Sequence, residues 1–196
     1  MQLIGITHEY FFANEDECIN ALLSNGLDRL HIRKPNATMQ EMMHLIQHIH
    51  PIHYPKISLN DHHELALGYK LGGIHINSRN PNVLQGYQGL VSKSCHTIEE
   101  LESIQSFDYV FLSPIFNSIS KANYQSAFTP DQLYTLAQKG IINEKVIALG
   151  GISATNIKQV KEIGFGGAAL LGALWGQENM QPHECVNRLL AIKEKQ

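Results

Sequence analysis

The chain has 196 residues, of which 43% are hydrophobic and 17% charged. That is enough to bury on the order of 70% of the unfolded surface, and it excludes a disordered chain. A formal net charge of −3 supplies no basic field for polyanions and argues against a general nucleic-acid binder. No apolar run approaches the roughly 20 residues that span a bilayer. The start, MQLIGITHEYFF, has neither a basic n-region nor a small-residue cleavage site, so it does not read as a signal peptide. Cys18, Cys95 and Cys185 are odd in number and widely spaced. They form no disulfide framework and no CxxC motif. Buried, unreactive thiols in a reducing compartment, the cytoplasm, are the expectation.

Short apolar runs alternate with helical patterns along the chain. Leu3–Ile6 precedes a helical spacing over Asp16–Leu23, and Leu30–Ile32 precedes Thr38–His50, with Met42, Leu45, Ile46 and Ile49 on one face. Ile57–Leu59 leads to His63–Tyr69. Ile74–Ile76 leads to a polar stretch punctuated by Pro and Gly, where any helix is short. Leu90–Ser92 is followed by Thr97–Ser103, and Tyr109–Leu112 by a long loop, Ser113–Phe128, and then Asp131–Lys139. Val146–Leu149 precedes Thr155–Ile163, and Ala168–Leu171 precedes a last helix within Pro182–Lys195.

Eight apolar strands without alternation imply a parallel sheet covered by helices on both faces. Eight such units, each with its helix, predict an α/β protein, a single compact (β/α)8 barrel over residues 1–196. An open doubly wound sheet is the alternative, weakened because no GxGxxG follows the first strand. Eleven histidines stand out. His44 and His48 are four apart, yet there is no HExxH and no third ligand at fixed spacing, so they read as surface positions on a helix and no zinc is assigned.

Barrel chemistry gathers where strands end. The residues there are Thr7, His8, Arg33, Lys34, Asn60, Asp61, Asn77, Ser94, His96, Ser118, Ser120, Lys121, Gly150, Gly151 and Gly172. This ring is polar, partly cationic and poor in carboxylates, which disfavours paired-carboxylate glycosidase chemistry. Arg33 and Lys121 suit an anion such as a diphosphate, and Asp61 suits Mg²⁺ bridged to it. Gly151 and Gly172 follow the seventh and eighth strands, the usual barrel phosphate site. Gly164, Gly166 and Gly167 precede the eighth strand and read as turn residues.

HIRKP at 31–35, SLNDHHELA at 58–66, SKSCHTIEEL at 92–101, DYVFLSPIFNSISK at 108–121 and VIALGGIS at 146–153 resemble the thiamine-phosphate synthase/TenI family of barrels. The resemblance implies a transferase of thiamine biosynthesis. Such enzymes join a hydroxymethylpyrimidine diphosphate to a thiazole phosphate and release pyrophosphate. It implies Arg33, Ser94 and Lys121 at the diphosphate, with His31 and Asn60 in the pyrimidine-diphosphate pocket. It also implies Mg²⁺ on Asp61, entering with the substrate, and thiazole-phosphate contacts from Ser118, Ser120, Gly151, Leu171 and Gly172. A homodimer would be compatible; neither nucleic acid nor membrane is a partner.

The sequence also departs from the family pattern. Pro35 stands where the family has a lysine, and Asn80 where it has a second metal-binding aspartate. Lys34 is no automatic substitute, since neighbouring strand residues face opposite sides. One cation and one anion are therefore missing from the diphosphate–metal site. A TenI-like thiazole tautomerase and a non-catalytic barrel binding a thiamine precursor are the alternatives. Pro114, where the tautomerases carry a histidine, favours the synthase.

Overall fold

The computed structural model describes residues 1–117, 126–176 and 180–196. Eight parallel strands close a barrel in sequence order: β1 (Gln2–Ile6), β2 (Arg29–Ile32), β3 (Ile57–Leu59), β4 (Gly73–Ile76), β5 (Leu90–Cys95), β6 (Tyr109–Leu112), β7 (Val146–Leu149) and β8 (Gly167–Leu170). Closure is made by β1 against β8, with Gln2 opposite Gly167 and Gly5 opposite Leu170. The surrounding helices are α1 (Glu15–Ser24), α2 (Met39–His48), α3 (His63–Gly68), α4 (Ile98–Leu101), α5 (Pro130–Gln138), α6 (Ile157–Ile163), α7 (Gly172–Trp175) and α8 (Pro182–Lys195). A 3-10 turn over Pro51–Lys56 precedes β3. No helix separates β4 from β5, as the Pro- and Gly-punctuated stretch implies.

Local sequence sets the helix starts. Thr38, Thr97 and Thr129 cap α2, α4 and α5, each paired reciprocally with Glu41, Glu100 or Gln132 three residues on. Each box satisfies two backbone donors that the first helical turn leaves open.

The strands do alternate, which corrects the expectation of uniformly apolar runs. Leu30, Ile32, Ile57, Leu59, Ile74, Val110 and Leu112 face the helices and join the main core. Their neighbours face the barrel axis. On β6, β7, β8 and β1 the inward side chains are Tyr109, Phe111, Ile147, Ala169, Ile4 and Ile6, a mostly apolar layer. On β2 to β5 the buried alternates are His31, Ser58, His75 and Ser92. The barrel interior thus has an apolar half and a polar half.

Every side chain of the polar half finds a partner. His31 Nδ1 meets Asn60 Oδ1 at 3.0 Å and its Nε2 meets the Tyr109 hydroxyl at 2.6 Å. His75 Nδ1 meets Ser92 Oγ at 3.0 Å and its Nε2 meets Ser94 Oγ at 3.1 Å. Both rings pack against Phe111 at centroid distances of 4.9 and 5.3 Å. In a dry interior such a network is favourable only when satisfied, because an unpaired buried polar group costs about 1–3 kcal/mol.

Lys34 is fully enclosed. Its Nζ donates to both oxygens of Glu15, at 2.7 and 2.8 Å, and to Tyr10 O at 2.6 Å. The Phe11 ring lies 4.6 Å away. Burial pushes the Glu15 carboxyl up to about 7 against the pull of Lys34. The pair ties the start of α1 to the segment just after β2. Lys34 therefore leaves the ring of candidate site residues.

Candidate active site

The C-terminal ends of the strands surround a cavity of about 790 Å³, whose lining includes Arg33, Ser94, His96, Gly151, Leu171 and Gly172. Four residues of the strand-end reading, Arg33, Ser94, Gly151 and Gly172, thus surround one space together with Leu171, which the resemblance implied. Ser118, Ser120 and Lys121 lie outside the described residues. Ser94 sits within β5, one residue before its end, because the strand runs three residues past the apolar stretch.

The glycine side of the cavity is a backbone surface. Gly150 and Gly151 have φ of +102° and +66°. A Cβ on Gly151 would fall 2.3 Å from Asn117 O and 2.8 Å from Phe116 Cβ, so only glycine fits both the conformation and the space. Asn156 holds the turn by donating to Gly151 O at 2.9 Å and accepting from Ser153 N at 2.9 Å. Beyond β8, Gly172 begins the four-residue helix α7, which the sequence reading missed. Its Trp175 donates Nε1–H to Ile6 O at 2.6 Å and fixes the helix on β1. The opening N–H groups of a helix have no intrahelical acceptor, which suits a phosphate at Gly172.

The opposite side carries charge and hydroxyls. Arg33 is held by its backbone N–H to Thr7 Oγ1, 2.9 Å, and by an ion pair with Glu9. Burial, and then the charges of His63, Arg33 and Arg79, push the His75 imidazole down to about 3. Burial likewise holds His31 far below its usual range. Both rings are neutral at physiological pH. Ser92 Oγ donates to Ile74 O at 3.3 Å, so the network assigns the Nδ1 proton of His75 to Ser92 and leaves Nε2 to accept from Ser94. His31, predicted as a substrate contact, is fully buried with both ring nitrogens engaged. It orients Asn60 instead. Asn60 in turn receives Asn77 Nδ2 at 2.6 Å and Asn80 Nδ2 at 3.3 Å on its carbonyl.

Asp61 follows β3 and is buried. Its Oδ1 accepts from Arg79 Nε at 2.9 Å and Nη2 at 2.7 Å. Its Oδ2 is buried with no hydrogen-bond partner. A hard anionic oxygen without a donor suits a divalent cation, so this residue fits Mg²⁺ as a single protein ligand. Among the described residues there is no group of three or more His, Cys, Asp or Glu side chains able to hold a metal unaided. His44 and His48 pack ring to ring on α2, with His48 Nδ1 on His44 O at 2.7 Å. His96 anchors its ring nitrogen on Ser113 O at 3.1 Å. Sequence reasoning missed Arg79 and Glu9; only the motif departure at Asn80 pointed toward that loop.

A closed (β/α)8 barrel with a glycine-walled cavity at its strand ends, faced by Arg33, defines a class of barrels whose strand-end loops carry the site. Comparison with known proteins narrows it. The family model described as thiamine monophosphate synthase matches residues 3–174, and the chain belongs to that family. A thiamine-phosphate synthase from Syntrophomonas wolfei is 26% identical over 84% of this chain and 83% of its own. One from Latilactobacillus sakei is 34% identical over 65% and 59%. The crystal structure of a thiamine phosphate pyrophosphorylase from Bacteroides thetaiotaomicron superposes with a TM-score of 0.90, 36% identity, and coverage of 100% of this chain and 97% of that one.

Proposed function

We propose that the chain is a thiamine-phosphate synthase, joining hydroxymethylpyrimidine diphosphate to thiazole phosphate with release of pyrophosphate. The observation that carries this reading is one cavity of about 790 Å³ with a glycine wall of exposed backbone, at Gly150, Gly151 and Gly172, and a facing wall that bears Arg33 and the hydroxyl of Ser94. Two anionic substrates then meet with their phosphates apart and their reacting atoms between.

The reaction breaks the C–O bond to diphosphate, leaves a stabilised pyrimidinyl cation, and lets the thiazole nitrogen capture it. It demands little proton transfer. Catalysis rests on neutralising the departing diphosphate and aligning the nucleophile. Arg33 and Lys121 would offset the leaving charge. Ser94 would turn its hydroxyl from His75 Nε2 to a diphosphate oxygen. Gly151, Leu171 and Gly172, with Ser118 and Ser120, would hold the thiazole phosphate, and Asn60 the pyrimidine. When bound together with the diphosphate, Mg²⁺ on Asp61 would supply further positive charge to the leaving group. The three cysteines are free and buried, which supports a reducing compartment, the cytoplasm.

Incubation with both substrates and Mg²⁺, read by mass spectrometry of the product, tests this. Formation of thiamine phosphate, lost in Arg33→Ala, is the expected result. Tight binding of either substrate without product would replace the synthase with the non-catalytic reading.

A further inference from the structure

The pairing of Asp61 with Arg79 is unusual as a stabilising device. Asp61 is buried, yet one of its oxygens has no partner. Its cation is a half-exposed side chain, 44% accessible. A solvent-exposed ion pair contributes little to stability, whereas a buried carboxylate left half-satisfied costs stability. The arrangement makes better sense as a mount for the guanidinium.

The geometry of the mount is well defined. Asn77 Oδ1 accepts the backbone N–H of Arg79 at 2.9 Å and of Asn80 at 3.1 Å. Asn77 and Asn80 also exchange backbone hydrogen bonds at 3.2 and 3.0 Å. This tight turn fixes where the Arg79 side chain leaves the chain. Asp61 Oδ1 then holds the Nε edge of the guanidinium. Two of its five N–H donors are engaged there, and the remaining three are on the outer edge. The plane is pre-organised, so little side-chain entropy is lost when an anion docks.

We propose that Arg79, mounted on Asp61, is a diphosphate-binding residue of this chain. It presents its outer N–H donors at the end of β4, so that the site takes a diphosphate before the metal ion joins it. The inference rests on the synthase reading above. Asp61 and Arg79 follow the adjacent strands β3 and β4, next to β5 with Ser94 at its end. The charges of Arg33 and Arg79 both reach His75, the ring that holds Ser94. Arg33 follows β2 and Arg79 follows β4, so the two guanidinium groups leave the chain on either side of the end of β3. Arg79 restores the cation count that Pro35 lowers.

Calorimetric titration of inorganic pyrophosphate into the full chain, with EDTA and then with Mg²⁺, tests the proposal using wild type, Arg79→Gln and Arg79→Lys. Wild type is expected to bind pyrophosphate in EDTA. Arg79→Gln should weaken that binding at least about tenfold, since it loses a charge-assisted bidentate contact. Arg79→Lys should fall between, because it keeps the charge without the fork. Mg²⁺ should rescue the Gln variant by a larger factor than it helps wild type. In turnover, KM for the pyrimidine diphosphate should rise in the Gln variant while KM for the thiazole phosphate holds. No pyrophosphate binding by wild type in EDTA would overturn the proposal, as would equal affinity of wild type and Arg79→Gln. If Arg79→Gln does not fold, Arg79→Lys decides alone, and wild-type affinity in that variant overturns the proposal. Pyrophosphate binding that follows this pattern without product formation would sink the synthase reading and leave the anion site standing.

Discussion

Acidification from about pH 7.5 to about pH 5 should destabilise the protein through His75. In the native barrel its pKa is about 3, held down chiefly by burial. In the unfolded chain it returns to about 6.5. A folded pKa below the unfolded one means the stabilising contribution is complete above about 6.5 and is lost as pH falls toward 3. Between about 6.5 and 5 only the unfolded chain takes up the proton, at about 1.4 kcal/mol per pH unit, or about 2 kcal/mol in all. His31 acts in the same sense. Glu15, pushed up to about 7, acts in the opposite sense, because the native state takes up its proton first. The comparison is therefore made against His75→Gln, which removes one titration and leaves the others. Urea unfolding at both pH values gives the four free energies. The loss on acidification should be smaller by about 2 kcal/mol in the variant. An equal loss in both proteins would show that His75 titrates in the native state and that the polar interior is hydrated.

Lys34→Met should cost about 3–5 kcal/mol in chemical denaturation, because it leaves Glu15 buried without its cation; adding Glu15→Leu should recover most of that loss. Gly151→Ala should cost about 1–3 kcal/mol by imposing a side chain at φ +66° and against Asn117 O, and titration should show weaker thiazole-phosphate binding. Lys121→Ala should abolish most turnover while stability shifts by less than about 0.5 kcal/mol, as thermal melts will show. Asn80→Asp should raise Mg²⁺ affinity of the free protein in calorimetry by adding a second carboxylate near Asp61; unchanged binding would separate Asn80 from the metal site.

The barrel was legible because its outward strand residues, such as Leu30 and Ile32 or Val110 and Leu112, are apolar and spaced by helical patterns of similar length. The inward layer was harder to read. His75 and Ser92 are polar because they bond each other, and His31 and Ser58 because they meet Tyr109 across the barrel, and no local pattern announces such pairing. The same cause misplaced His31, whose motif position suggested a ligand contact while its ring is closed off by Asn60 and Tyr109. Lys34 stood beside Arg33 in sequence, yet just past β2 the two side chains part, one to Glu15 at the start of α1 and the other to the cavity. The glycine wall was legible because positive φ and close backbone approach restrict Gly150 and Gly151 to one residue type. Arg79 was not, since its role depends on a contact with Asp61 across 18 positions.

The central claim is that both anionic substrates react in the one cavity at the strand ends. A coupled assay of pyrophosphate release, with hydroxymethylpyrimidine diphosphate, thiazole phosphate and Mg²⁺, tests it most directly. The account predicts release that requires both substrates, matches thiamine phosphate formed mole for mole, and falls by at least about 100-fold in Arg33→Ala. Release independent of the thiazole phosphate, or none from a folded protein that binds both substrates, would contradict it.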